Sequence, residues 1–280
     1  MGKSLILGFF DGVHVAHRAV ISSAVNFSSD SLLITFKESP AKFFNKEYEY
    51  ILPREESLKK IKSLGVREVL ELDFDKVANM SAQDYLDFLY KEFAPTSIST
   101  GFNHTFGKNR IGNPEFLKKN QEKYGYKYFC ISPQLSDGDI ISSTLIKKLL
   151  RGGNIERANN LLETNFSLEG VVTKGAQLGR KIGFSTANIN YPNHIIKIPF
   201  GVYSVKVLEH KGVMNWGMKP TVHNIKEPVA EIHIIGFDGD LYGKTLKFDI
   251  IKKIRDEKIF ENLEELKTQI SKDIETCLKL

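Results

Sequence analysis

Near residue 163 the rhythm of this chain changes, and the change limits the folds open to it. Before it, short apolar or β-branched runs at 4–10, 31–36, 67–72, 96–100 and 127–131 alternate with amphipathic stretches at 16–27, 54–64, 81–93 and 113–124. Strands that alternate with helices build βαβ units and a mostly parallel sheet, because a parallel neighbour is reached only through a long crossover. The clearest helix starts at Ser81, where Ser81 and Asp84 make a capping-box pattern and Tyr85, Leu86, Leu89, Tyr90 and Phe93 share one face. A further helical stretch runs from Ser142 through Leu150, pauses at Gly152-Gly153 and resumes over 155–162.

After Asn165 the helical period stops. Segments 166–174, 202–208, 213–218, 229–236 and 245–254 read as strands between turn residues, and only 261–278 is helical again, with Leu263, Leu266, Ile270, Ile274 and Leu278 in period. The expectation is an α/β domain over 1–162 and a small β-barrel-like domain over 163–280 closed by one helix. A length of 280 residues suits two domains.

Charge and cysteine usage narrow the partners. The 39 basic and 34 acidic residues are interspersed and leave a net +5, so no nucleic-acid face is expected and small anionic ligands fit better. The apolar start of the chain is broken at Asp11-Gly12, too early for a signal peptide, and no run of apolar residues is long enough to predict a membrane span. Cys130 and Cys277 show neither CxxC nor finger spacing, which predicts a reducing, cytoplasmic setting without a disulfide framework or structural zinc. Nothing in the sequence points to an obligate protein partner.

Leu5-Ile6-Leu7-Gly8-Phe9-Phe10-Asp11-Gly12-Val13-His14-Val15-Ala16-His17 reads as a buried strand, a turn and a helix start. Such a junction binds nucleotides because free helix N–H groups and the helix dipole favour phosphate. His14 and His17 fall on one helical face, where two imidazoles can donate to phosphoryl oxygens. Taken alone the pair equally suits a cap and a packed ring. Ile141-Ser142-Ser143-Thr144-Leu145-Ile146-Lys147-Lys148 again sets hydroxyls before a helix and cations inside it, a triphosphate grip or a plain cap with a solvated lysine pair. The glycine-rich stretch 101–112, with Lys108 and Arg110, is a plausible backbone cradle or an ordinary loop.

Together these motifs resemble the HxGH-type nucleotidyltransferases. The fuller runs Gly8–His14 and Gly101-Phe102-Asn103-His104-Thr105-Phe106-Gly107-Lys108, with Gly112, resemble more specifically the adenylyltransferase half of the bacterial bifunctional riboflavin kinase/FAD synthetases. The resemblance implies a Rossmann-like domain in which Gly8, Phe10, Asp11, Gly12, Asn103, Ser143, Thr144 and Lys147 hold the nucleotide and His14 and His17 stabilise charge at its phosphates.

The second half lacks GxxxxGK[ST], so a Walker-type site is not expected. It carries Gly175 and Leu178-Gly179-Arg180-Lys181-Ile182-Gly183-Phe184-Ser185-Thr186-Ala187-Asn188, where glycines suit phosphate approach and Thr and Asn oxygens suit a hard cation. Then follow Gly217-Met218-Lys219-Pro220-Thr221, Glu231-Ile232-His233, Asp240-Leu241-Tyr242-Gly243-Lys244 and Ile254-Arg255-Asp256-Glu257-Lys258-Ile259-Phe260, in the order of the riboflavin kinase module of the same family. The resemblance implies Glu231 as the base for riboflavin's 5′-hydroxyl, magnesium on Thr186 and Asn188, and nucleotide contacts from Gly175, Lys181 and Phe184. Alternation places Glu231 and His233 on one strand face. Leu241, Tyr242, Arg255 and Phe260 border an isoalloxazine pocket or belong to the barrel core and helix cap.

The chain departs from the family pattern at Ala16, Lys37, Lys147, Ser185 and Lys219. The expected function is phosphorylation of riboflavin by ATP to FMN, then adenylation of FMN by a second ATP to FAD and pyrophosphate, with magnesium. Two alternatives stay open: a riboflavin kinase with a degenerate nucleotidyltransferase module, and a non-catalytic flavin-binding regulator.

Overall fold

Alternation within the first strand sets the architecture of the first unit. In β1 (Ser4–Leu7) every side chain is buried, so the strand needs cover on both faces. The computed structural model, which describes residues 2–174, 183–220 and 226–280, supplies it. Along the chain follow α1 (Val15–Phe27), β2 (Ser31–Phe36), α2 (Pro40–Phe43), α3 (Arg54–Ser63), β3 (Glu68–Leu72), α4 (Asp75–Ala78), α5 (Ala82–Phe93), β4 (Ser97–Gly101), α6 (Pro114–Tyr124) and β5 (Lys127–Ile131). The sheet order is β3-β2-β1-β4-β5, and every pairing is parallel. Leu5, Leu7, Leu32 and Ile34 face α4, α5 and α6, while Ile6 and Leu33 face α1 and α3. The capping box is present, with Ser81 Oγ accepting from Asp84 N at 3.0 Å and Asp84 Oδ2 accepting from Ser81 N at 3.3 Å.

Strand order reverses between β1 and β4, because the chain runs outward through β2 and β3 before returning to the other side of β1. The crevice beyond the carboxyl ends of two such strands is where open α/β sheets bind ligands. Residues 8–17 leave one strand there, and residues 101–107 leave the other. The short helices α2 and α4 fall where the sequence reading has no element, since four residues carry too little periodicity to register.

A small hairpin, β6 (Leu135–Ser136) and β7 (Asp139–Ile140), precedes α7 (Ser143–Arg151) and α8 (Ile155–Leu162). By its contacts the chain divides into Met1–Leu145 and Ile146–Leu280. In the second unit α8 packs on the strands that follow it: Asn159 Nδ2 donates to Ile250 O at 2.9 Å and its Oδ1 accepts from Phe166 N at 2.7 Å.

The strands β8 (Phe166–Thr173), β9 (Ala187–Asn190), β10 (Gly201–Val207), β11 (His210–Pro220), β12 (Lys226–Ile234) and β13 (Thr245–Arg255) close into an antiparallel barrel in the order β10-β11-β12-β9-β8-β13. Phe166, Tyr203, Trp216, Phe248 and Ile250 are fully buried. The expected closing helix is α9 (Leu263–Lys279), anchored through buried Cys277, whose Sγ donates to Gly212 O at 3.2 Å, and through buried Asp273, which binds Arg255 Nη2 at 2.8 Å. Strand β9 was not foreseen, because its residues read as a ligand-binding loop.

Candidate active sites

In the first unit the turn after β1 is built under strain. Phe10 has φ 59°, Gly12 84° and Val13 47°. A positive φ is costly for a β-branched residue and persists only where the surroundings enforce it. Burial of Val13 and Phe10 supplies part of that constraint. The rest comes from Asp11, whose Oδ2 accepts from the Tyr48 hydroxyl at 2.8 Å and whose Oδ1 accepts from Ile51 N at 2.9 Å. Ser143 Oγ donates to Asp11 O at 2.9 Å, so the hydroxyl run before α7 is tied to the same turn. A Cβ on Gly8 would meet the Phe10 ring at 2.8 Å, which explains a glycine there.

The turn delivers His14 as the N-cap of α1, its Nδ1 accepting from His17 N at 3.4 Å. An Nδ1 that accepts carries no proton, so in the neutral ring the proton sits on Nε2 as a donor. The two rings stack at 3.6 Å between centroids. Burial lowers His14 to about 4, and burial together with the neighbouring His14 charge holds His17 well below the ordinary imidazole value. Both are therefore neutral hydrogen-bonding groups at neutral pH.

These histidines line a cavity of about 390 Å³ together with Gly8, Phe10, Asn103, Ser143 and Thr144. Asp11 and Gly12 are not in its wall; their place is in holding the turn. Ala16, the departure from glycine, is in the wall. Lys37 is exposed and pairs with Asp73 at 2.8 Å. Lys147 lies one turn into α7. A second cavity of about 790 Å³ has Phe36, Phe43, Phe44, Phe74 and Tyr85 in its wall, with Lys46, Lys108 and Arg110. Local sequence pattern does not announce this aromatic set, because its members come from β2, the end of α2, the residue before α4 and α5, and only the tertiary fold assembles them. The two cavities share Leu7, Gly8, Phe36, Pro40, His104 and Thr105.

In the barrel, strand register builds the site. Glu231 on β12 lies opposite Asn188 on β9 and Asn215 on β11, and directly opposed residues of antiparallel strands share a face. The flanking Ala230 and Ile232 are buried in the barrel interior, so this face is the outer one. Thr173 Oγ1 donates to Asn188 O at 3.3 Å, and His233 Nδ1 lies 2.9 Å from Ser185 O. Phe184 meets the His233 ring edge-on at 5.4 Å. Next to Asn188 a cavity of about 420 Å³ is lined by Thr186, Asn188, Phe237, Leu241 and Tyr242 together with the inward-facing Ile232, and Glu231 is not in its wall.

The residues expected around the flavin are thus divided. Leu241 and Tyr242 line the cavity of Thr186 and Asn188, whereas Arg255 is bound by Asp273 and lies under Phe260 at 5.8 Å. On that other side a Cβ on Gly217 would lie 2.0 Å from Glu257 Oε1, so the Glu257 carboxylate occupies the space a side chain would take, two residues along β11 from Asn215. Gly175 and Lys181 lie outside the described residues, as does the side chain of Lys219. Among the described residues no cluster of three His, Cys, Asp or Glu side chains is placed to hold a metal. Thr186 and Asn188 offer two hard oxygens, a set that suits magnesium shared with phosphates and water.

An FAD synthetase family model matches residues 1–145, and a riboflavin kinase family model matches residues 162–280. The bifunctional riboflavin kinase/FMN adenylyltransferase of Bacillus subtilis (strain 168) is 32% identical, with 98% of this chain and 91% of the relative covered. The protein of the same description from Escherichia coli (strain K12) is 33% identical over 97% of this chain and 90% of its own. A crystal structure described as a macrolide-efflux protein from Streptococcus pneumoniae superposes with a TM-score of 0.90 at 28% identity, covering 100% of this chain and 95% of that one. Among the described residues here, no helix is long and apolar enough to cross a membrane.

Proposed function

This chain belongs to the family of bifunctional riboflavin kinase/FMN adenylyltransferases, and from that premise we propose how its residues divide the work. The barrel module, taken as 163–280, phosphorylates riboflavin with ATP to FMN. The α/β module, taken as 1–162, adenylates FMN with ATP to FAD and releases pyrophosphate. What supports the division of roles is that each unit has motif residues at a cleft of its own: His14, His17, Asn103, Ser143 and Thr144 line the first, and Thr186 and Asn188 line the second, with Glu231 paired across the strands from Asn188.

In the barrel, Glu231 takes the proton of the riboflavin 5′-hydroxyl, the oxygen attacks the γ-phosphorus and ADP leaves. The outer face supports this order, because Asn188 links the nucleotide-side cavity to Glu231, and Asn215 and Gly217 continue the face toward Glu257, Arg255 and Phe260. On this reading Leu241 and Tyr242 border the nucleotide, and Arg255 and Phe260 border the flavin. Thr186 and Asn188 would hold magnesium together with the ATP phosphates, and the ion would supply charge neutralisation for the transferred phosphoryl group. Gly175, Lys181 and Phe184 complete the nucleotide side.

In the α/β module the nucleophile is the FMN phosphate, already anionic, so no base is needed. Its oxygen attacks the α-phosphorus of ATP and pyrophosphate leaves. His14 donates from Nε2, and with His17, Ser143, Thr144 and Lys147 it steadies charge on the α-phosphate and leaving group. The aromatic cavity takes the flat isoalloxazine of FMN, and Lys46, Lys108 and Arg110 add positive charge to its wall. The two free cysteines, Cys130 and Cys277, fit a cytoplasmic enzyme. It works on riboflavin, FMN and ATP without nucleic acid, membrane or an obligate protein partner.

Incubating the full chain with riboflavin and Mg-ATP and chromatographing the flavins over time tests this reading. FMN is expected first and FAD after it. FMN that never proceeds to FAD restricts the chain to the kinase, and bound riboflavin with no product overturns both activities.

A further inference from the structure

Among the described residues, three buried imidazole nitrogens have no hydrogen-bond partner: His14 Nε2, His17 Nδ1 and His104 Nε2. A buried polar atom left unsatisfied is costly and in native folds calls for an explanation. For His14 and His17 the explanation is the phosphate they meet. The third ring lines the same cavity, and the account so far gives it no task.

His104 is not a loose loop residue. Its N–H donates to Gly101 O at 3.1 Å, and its ring stacks on Phe106 at 5.8 Å with 28° between planes. Phe106 is pinned in turn by reciprocal backbone hydrogen bonds with Gly112, each 3.0 Å. The Phe106 ring fills the space that a Cβ on Gly112 would occupy. The loop therefore presents the imidazole in a fixed place, on the wall common to the nucleotide cavity and the aromatic cavity.

The two cavities lie side by side, with His104 and Thr105 in both linings. On the adenylyltransferase reading, on which this inference rests, the FMN phosphate and the α-phosphate of ATP must come together, and the residues common to both linings are where ligands of the two cavities come closest. We infer that His104 is a third phosphate-contacting imidazole of the adenylyl site, its Nε2 hydrogen-bonding a phosphoryl oxygen at the junction of the two cavities. Burial lowers His104 to about 4, so the ring is neutral and binds as a donor from its Nε2–H tautomer without adding charge.

His104→Phe keeps a ring to stack on Phe106 and removes both nitrogens, and His104→Gln keeps a donor without the ring. In the full chain, FMN formation from riboflavin serves as an internal control, and FAD formation from supplied FMN is resolved into kcat and KM for FMN and for ATP. His104→Phe should lower kcat/KM for FAD formation roughly ten- to hundredfold, the worth of one hydrogen bond to a charged oxygen. FMN formation and the unfolding midpoint should not change, and His104→Gln should recover part of the loss. FAD formation within threefold of the unsubstituted chain in His104→Phe overturns the inference. So does an equal loss in both variants accompanied by a lowered unfolding midpoint, which marks the ring as a packing element only. If the unsubstituted chain makes no FAD, the adenylyltransferase reading fails by itself, and calorimetric titration with Mg-ATP decides the inference: weaker binding in His104→Phe supports it, and unchanged binding overturns it.

Discussion

The two sites of this chain reach similar chemistry by opposite constructions. The first is a strained turn at the switch point of a parallel sheet, with its imidazoles buried and its backbone held at positive φ at Phe10, Gly12 and Val13. The second is a patch on the outer face of a barrel, where ordinary strand register sets Glu231 beside Asn188 and Asn215. In the first, the groups proposed to do the chemistry and those that hold the fold are bonded together, as where Ser143 donates to Asp11 O. In the second, the chemical groups stand on a scaffold whose stability comes from the opposite face, from Trp216, Tyr203, Phe166 and Phe248. Substitution should therefore cost the barrel site chemistry alone, and the turn both chemistry and stability.

The largest expected effect falls on the barrel. Glu231→Gln should slow FMN formation by roughly 10²–10⁴-fold, the usual contribution of a positioned base, and leave FAD formation from supplied FMN intact. Trp216 is the chain's one tryptophan and is fully buried in the barrel, so its fluorescence follows unfolding of that unit. An unfolding midpoint in Glu231→Gln equal to the unsubstituted chain's supports the separation of chemistry from stability, and a clear drop breaks it.

Next in size is Tyr48→Phe, which removes the hydroxyl bonded to the Asp11 carboxylate at 2.8 Å. A hydrogen bond to a charged group contributes about 1.5–3 kcal/mol, so the first unit should lose stability of that order. FAD formation should fall severalfold as the histidine turn loosens, while FMN formation stays constant. Circular dichroism and the two product assays read these separately. Loss of FAD formation without loss of stability would put Tyr48 in contact with substrate, outside the clamp described here.

The smallest effect concerns pH. His14 and His104 sit near 4 in the folded chain against an ordinary 6.5, so between those values the unfolded chain binds more protons. Their contribution to stability is complete above about pH 6.5 and is lost as pH falls toward 4. Denaturant titrations at pH 7 and pH 5 should show the circular dichroism transition of the first unit moving to lower denaturant more than the Trp216 transition of the barrel. Equal movement of the two removes the buried histidines as its cause.

Much of this was legible before any coordinates. The parallel character of the first sheet, the capping box at Ser81 and the closing helix follow from local periodicity, and the histidine turn follows from an apolar strand that runs into Gly8 and Gly12. What escaped the sequence is long-range. Asp11 reads as a ligand contact, yet Tyr48 and Ile51 engage its carboxylate from about forty positions away. Strand β9 was hidden because Thr186 and Asn188 draw attention as ligands, although the same short run supplies the pairing that seats Glu231. The aromatic cavity draws its wall from separate elements, and no local pattern announces it. His104 lies within the glycine-rich stretch 101–112, and only its missing partner and its place in both cavity walls single it out.

The central claim is that one chain carries two reactions on two separately built sites. The most direct test is the double variant His14→Ala, His17→Ala in the full chain, assayed for FAD from FMN and for FMN from riboflavin in the same preparation. FAD formation should fall at least about a hundredfold, as when preorganised donors to a reacting phosphate are removed, with FMN formation within twofold of the unsubstituted chain. Retained FAD formation, or loss of both activities in a chain whose Trp216 transition is unchanged, contradicts it.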